Sequence, residues 1–216
     1  SRPGNAAYVP PPPHALGEVL GAFEKYLHAD DLLPPLVRAG LLHVQFETIH
    51  PYLDGNGRIG RLLVTLLLEH WKLLTKPLLY LSLFFKRHRE EYYRRLNAVR
   101  IDGDWEGWVS FFLEGVAAAS AEAERSIIDV ASLITADRKR LLESPKAGPT
   151  SYRLFELLPM MPRFSVEHVR QRLETTFPTA SAAVKLLEDL GILTELTGQK
   201  KNRVYSYQAY VDLLSR

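Results

Sequence analysis

Apolar residues recur at spacings of three and four along most of the chain, the period of a helix with one buried face. Between His14 and His28, the residues Leu16, Val19, Leu20, Phe23, Tyr26 and Leu27 form one such stripe. A second helix is expected to open at Pro34 or Pro35, since proline suits the first helical turn. Leu36, Val37, Gly40, Leu41, Val44 and Phe46 make it apolar on most sides, the mark of a central helix, and it must stop before Pro51. HPYLDGNG reads as a loop, followed by an apolar helix from about Arg58 to Leu74. Ser82 is placed as the cap of a helix containing FFKRHREEYYRRLNAV, which ends at Asp102-Gly103. Asp104 then caps a long helix from Trp105 towards Leu142.

The pattern changes after SPKAGPT, a short linker from Ser144 to Thr150. A short helix from Tyr152 to Leu158, FSVEHVRQRL capped by Ser165, and PTASAAVKLLEDLGIL ended by Gly191 give three helices. ILTEL and VYSY read as strands around the polar turn TGQKKNR. The expected architecture is an all-α core over 1–143, with a Pro-rich arm at 1–13. The linker at 144–150 leads to a small winged helix-turn-helix, with a short β wing, over 151–216.

Composition narrows the function classes. The 216 residues are 46% apolar and 24% charged, with a formal net charge of +2 and no cysteine. That is a globular composition, and the absence of cysteine excludes disulfide scaffolds, cysteine-ligated zinc modules and thiol catalysis. It is compatible with a reducing, cytoplasmic setting. The most apolar stretch, Leu62 to Phe85, is interrupted by Glu69, His70, Lys72, Lys76 and Pro77, so a soluble chain without a membrane span is expected. No signal peptide is visible at the N-terminus, and without an initiator Met a processed or trimmed chain is expected.

Chemistry concentrates in HPYLDGNGRIGR, His50 to Arg61. Gly55 and Gly57 let the backbone approach a ligand closely and turn successive amides towards one point. The helix that follows adds its unpaired N–H groups and positive dipole end. Arg58 and Arg61, three apart, leave its first turn on one face. Amides, helix end and two guanidinium groups describe a polyphosphate cradle, taken to run through Gly55, Asn56, Gly57, Arg58, Ile59, Gly60 and Arg61. Asp54 is a hard oxygen ligand suited to Mg²⁺. His50 is the nearby side chain whose ordinary pKa suits proton abstraction near neutrality. Any one of these features alone would read as a turn or a solvated charge. The joint pattern in twelve residues carries the reading.

HPYLDGNGRIGR resembles the signature of the Fic (Fic/Doc) family, HPFxDGNGRxxR, departing only by Tyr52 for Phe. AAYVPPPP, LLHVQFETIHPYLDGNGRIGRLL, LYLSLFFKRHREEYYRRLNAVR and GDWEGWVSFFLEGV look like bacterial members with a C-terminal winged helix. The resemblance implies transfer of AMP from ATP to a Ser, Thr or Tyr hydroxyl of a target protein, including itself. It implies His50 as general base and Asp54 as the Mg²⁺ ligand. Gly55, Asn56 and Gly57 would form the anion hole, Arg58 would support the phosphates, and Arg61 would meet the γ-phosphate. Tyr92 and Tyr93 match a tyrosine pair near the adenine, with Arg100 one to two turns on; packing of the core explains the same aromatics equally well. Removal of AMP, or transfer of another phosphate-containing group, would use the same residues.

The resemblance also implies an inhibitory helix of the form (S/T)xxxE(G/N) and a target-docking flap, both upstream of the core. This chain is expected to start beyond them and to bind ATP productively. SFFLEG, Ser110 to Gly115, fits the inhibitory pattern by letter but reads as an ordinary core helix. Lys185, Lys200, Lys201 and Arg203 could meet DNA phosphates, which leaves a nucleotide-sensing DNA-binding regulator as an alternative. Yet 144–216 holds only ten Lys/Arg against seven Asp/Glu, and its recognition helix lacks Arg or Asn for base readout. A homodimer is a family-level expectation.

Overall fold

A computed structural model describes residues 8–30, 32–74 and 79–215. The first seven residues of the expected Pro-rich arm lie outside the described residues, as do Lys76 and Pro77. The chain divides into two units, Ser1–Ala123 and Glu124–Arg216.

The first unit is helical and built around a buried axis. A short 3-10 turn at Pro13–Ala15 leads into α1 (Leu16–His28), and α2 (Pro35–Ile49) opens with Pro35 in its first turn as the sequence predicts. Ala39, Gly40, Leu42, His43, Val44, Phe46, Glu47 and Ile49 of α2 are all buried. Around it lie α3 (Asn56–His70), α4 (Leu81–Arg87), α5 (Arg89–Asp102) and the start of α6 (Trp105–Leu142). Val64, Leu68, Phe85, Tyr92, Leu96, Trp108, Phe111 and Phe112 pack into one core with Ala39 and Val44 of α2. The Trp108 indole N–H donates to the Gly40 carbonyl at 2.8 Å, so the largest buried side chain also ties α6 to α2.

Three boundaries differ from the sequence expectation. α3 stops at His70 rather than Leu74, because Lys72 turns left-handed (φ 59°) and the amides of Leu73 and Leu74 fold back on the Leu68 carbonyl. The helix expected to run unbroken through FFKRHREEYYRRLNAV is interrupted at His88 (φ −107°, ψ 39°), giving α4 and α5. Tyr80, not Ser82, stands at the N-cap of α4. Asp104 does cap α6, its Oδ1 accepting the Gly107 N–H at 3.0 Å.

The unit boundary falls inside α6, so the expected boundary at 143/144 and the linker at 144–150 lie within the second unit. Leu133, Ile134 and Leu141 of α6 belong to the second core with Leu154, Phe164, Val184, Leu187, Ile192 and Tyr207. Helices α7 (Pro149–Leu157), α8 (Val166–Arg172) and α9 (Phe177–Asp189) pack with strands β1 (Arg163–Ser165), β2 (Thr194–Glu195) and β3 (Val204–Ser206), in the antiparallel order β1-β3-β2. Ser165 caps α8, and Gly191 ends α9 with φ 67°. β1 and α10 (Gln208–Leu214) were not expected from the sequence. Lys185 on α9 pairs with Glu188 and Asp189 at 3.2 and 2.9 Å, leaving less free charge on that helix than the sequence suggests. Among the described residues no helix is long and apolar enough to cross a membrane.

The core of the first unit holds a histidine. His43 is fully buried, lies nearly parallel to the rings of Phe85 and Trp108, and meets the Tyr92 hydroxyl through Nε2 at 3.1 Å. Burial pushes its pKa down to about 4, opposed by the Gly60 backbone. The unfolded chain therefore binds a proton between pH 6.5 and 4 that the folded chain refuses, so this group's contribution to stability falls as pH falls through that window. Burial raises the Glu47 carboxyl, whose contribution runs the opposite way. Between pH 7 and 5 the wild type should lose about 2 kcal/mol more stability than His43→Phe, read from urea unfolding at both pH values. Equal losses would contradict a buried neutral imidazole.

Candidate active site

The candidate site occupies the junction between the last turn of α2 and the first turn of α3. His50 ends α2 in the left-handed region (φ 50°, ψ 55°), with its N–H on the Phe46 carbonyl at 2.9 Å. A non-glycine residue pays roughly 1–2 kcal/mol for that conformation, and the following Pro51 forbids continuation of the helix. The left-handed conformation turns the chain sharply away from α2 at the residue that the resemblance implies as the base.

Asn56 locks the loop that follows. Only 2% exposed, it accepts the Tyr52 N–H at 2.9 Å and donates to the Tyr52 carbonyl at 2.6 Å. Its side chain thus holds the turn from both sides of the Tyr52 peptide. Gly55 takes φ 86° at the N-cap of α3, and no side chain caps that end. The first intrahelical bond runs from the Ile59 N–H to the Gly55 carbonyl at 3.0 Å, so the amides of Asn56, Gly57 and Arg58 precede the hydrogen-bonded ladder.

Charge surrounds this end on loosely held side chains. Asp54 accepts the Gly55 N–H at 2.6 Å and pairs with Arg58 at 3.2 Å, with side chains 92% and 75% exposed. A pair so exposed contributes under about 1 kcal/mol, and either partner can exchange it for a ligand. The Arg61 Nε–H donates to the Ser82 hydroxyl of α4 at 3.1 Å. Ser82, one residue inside the start of α4, is thus a partner of Arg61 rather than a cap. Ile59 is exposed and Gly60 buried. Among the described residues no group of three or more His, Cys, Asp or Glu could cage a metal ion. One exposed carboxylate, Asp54, beside the uncapped start of α3 is nevertheless of the kind that fits Mg²⁺, which commonly takes one or two carboxylates and otherwise phosphate oxygens and water.

Beneath the start of α3 lies a buried polar stripe that was not expected from the sequence. A Cβ added at Gly60 would stand 2.6 Å from Glu47 Oε1, 3.2 Å from Phe46 and 3.3 Å from His43. Glu47 is 5% exposed, and its Oε1 has no hydrogen-bond partner among the described residues. Burial raises its pKa, while the Arg61 and Arg100 guanidiniums pull it down. The spacing of His43, Glu47 and His50, four and three apart on one helix, was the available signal.

The remaining predicted contact residues lie on α5. Tyr92 is 5% exposed within the core, its ring 4.7 Å from that of Phe85, and burial raises its pKa well beyond the ordinary tyrosine range. Tyr93 is exposed, with Arg89 over its ring at 5.7 Å. Arg100 reaches the end of α2, donating to the Glu47 carbonyl at 2.8 Å and to the Thr48 hydroxyl at 3.3 Å. Ser110 and Glu114 of SFFLEG bond to each other at 3.2 Å on the outer face of α6, while Phe111 and Phe112 fill the core.

Residues 1–68 match the Fic/DOC family model. A probable protein adenylyltransferase of Aquifex aeolicus is 31% identical over 92 residues, 43% of this chain and 26% of the relative. A protein adenylyltransferase Fic of Culex quinquefasciatus is 33% identical over 109 residues, 50% of this chain and 20% of the relative. The chain therefore spans about a fifth to a quarter of the length of these curated relatives. The crystal structure of a Fic family protein from Desulfovibrio desulfuricans G20 aligns with a TM-score of 0.53 at 24% identity, covering 95% of this chain and 59% of that one. The Fic resemblance is thus shown in sequence over the N-terminal third, and the fold, a helical core with a short β wing, is shared over nearly the whole chain.

The Gly60 contacts set a mutational expectation. A methyl at Gly60→Ala would crowd the buried Glu47, Phe46 and His43 side chains and should destabilise the protein by about 1–3 kcal/mol, measured by urea unfolding. A change below about 0.5 kcal/mol would show that the crossing is looser than described.

Proposed function

We propose that this chain transfers AMP from ATP to a hydroxyl side chain of a target protein. The observation that carries the reading is the α2–α3 junction. A left-handed His50 ends one helix, and the next begins uncapped with Gly55 at φ 86° and Arg58 and Arg61 on its first turns. The match of residues 1–68 to the Fic/DOC model and relatives named protein adenylyltransferases support the same assignment.

In this reading the target oxygen forms a bond to the α-phosphorus of ATP. The bond from that phosphorus to the oxygen bridging to the β-phosphate breaks, and pyrophosphate leaves with the electron pair. The hydroxyl proton passes to the neutral imidazole of His50. The amides of Asn56, Gly57 and Arg58, with Arg58 and Arg61, hold the departing phosphates, where positioning and charge neutralisation do most of the work. Ile59 and Gly60 complete the turn that presents them, and Gly60 lets it sit close to α2. Asp54 would hold Mg²⁺, which when bound neutralises phosphate charge. Tyr93, the exposed member of the tyrosine pair, is the one left to meet a nucleotide base.

Incubation with Mg²⁺ and ATP labelled at the α-phosphate, with a protein extract as the source of hydroxyls, should leave label on protein. Label at the γ-phosphate should not be retained. His50→Ala should reduce transfer by about 10²-fold or more. α-Label transferred undiminished by His50→Ala would overturn the base assignment, and retention of γ-label would indicate phosphorylation instead.

A further inference from the structure

We propose that Tyr8 and Arg100 are positioning residues for His50, capping the last carbonyls of α2 and so holding the left-handed turn that carries the imidazole. The inference rests on the reading of His50 as the base. It gives Arg100 a role in place of the nucleotide contact that the resemblance implies.

A helix leaves its final carbonyls without intrahelical partners, and something must satisfy them where the helix end is buried. At the end of α2 three successive carbonyls are taken. Phe46 O accepts the His50 N–H, Glu47 O accepts Arg100 Nη2 at 2.8 Å, and Thr48 O accepts the Tyr8 hydroxyl. The first bond makes the turn, and the other two come from side chains distant in sequence. Thr48 knits them together. Its hydroxyl donates to the Val44 carbonyl at 2.8 Å and accepts from Arg100 Nε at 3.3 Å.

Tyr8 and Arg100 also hold each other. The guanidinium carbon lies 3.7 Å from the centre of the Tyr8 ring, a close cation–π contact. Arg100 Nη1 donates to Asn97 Oδ1 at 3.3 Å, so each of its three nitrogens is engaged within the fold. A cation at a helix C-terminus also suits the negative end of the helix dipole. A guanidinium fixed this way is poorly placed to leave for a phosphate. It sits two and three residues before His50, where a small rotation of the last turn would swing the imidazole.

The test compares Arg100→Met and Tyr8→Phe with wild type in steady-state AMP transfer, Mg-ATP calorimetry and ¹H–¹⁵N spectra of the His50 imidazole, assigned with His50→Asn. Misplacement of a reacting group by about 1 Å can cost about 10²-fold in rate. Arg100→Met should therefore lower kcat by roughly 10- to 100-fold and Tyr8→Phe several-fold, with the Kd for Mg-ATP within about twofold of wild type. The His50 imidazole resonances should shift in both variants. Tyr8→Phe keeps the ring under the guanidinium and carries the test if Arg100→Met fails to fold. Weakened Mg-ATP binding with kcat retained would make Arg100 a nucleotide contact and overturn the proposal. Unchanged kcat with unmoved resonances would overturn it as well. If wild type transfers no AMP, the functional reading fails on its own, and unmoved resonances in the two variants would separately refute the clamp.

Discussion

The site depends on how closely α3 can approach α2. Both halves of the proposed chemistry lie at one crossing: His50 closes α2, and Asp54 to Arg61 open α3. Gly60 sets the distance, because any side chain there would meet Glu47, Phe46 and His43 at 2.6–3.3 Å. α2 cannot retreat, since the aromatic core stands behind it and Trp108 is bonded to its Gly40 carbonyl. A glycine on one helix and a buried partner on the other thus bring His50 and the uncapped start of α3 together, the two parts that the proposed transfer needs.

Groups in this region divide by how firmly they are held. Asn56 and Arg100 have their side-chain polar atoms committed to backbone and neighbouring side chains. Asp54 and Arg58 share one exposed ion pair of little strength, and Arg61 has a single hydroxyl partner for its Nε. That division suits a site that must keep its shape while its charged groups exchange partners for a ligand. Glu47 adds a constraint from below: a buried carboxyl oxygen without a hydrogen bond disfavours ionisation, and the nearby Arg61 and Arg100 charges oppose that tendency.

Much of this was legible before the structure. The stripes of α1 and α2, the caps at Asp104 and Ser165, and the left-handed Gly191 follow from local chemistry that the chain carries with it. HPYLDGNGRIGR was legible because its glycines, charges and helix start fall within twelve residues. What escaped depends on partners far along the chain. β1 is three residues long and exists through pairing with Val204–Ser206. Ser82 looked like a cap, yet α4 begins one residue before it and its hydroxyl meets Arg61, twenty-one positions earlier. Arg100 looked like a ligand-binding cation because Glu47, Thr48 and Tyr8 are more than fifty positions away. Tyr92 and Tyr93 are adjacent letters with opposite fates, one sealed in the core and one exposed, because successive helical positions point about 100° apart.

A structure of the chain with Mg²⁺ and a non-hydrolysable ATP analogue tests the account most directly. The phosphates should sit on the amides at the start of α3, with Asp54 on the metal and Arg61 on the terminal phosphate. The α-phosphorus should then stand open to a hydroxyl approaching past His50. Phosphates bound away from the 54–61 segment, or turned so that the α-phosphorus faces away from His50, would contradict it.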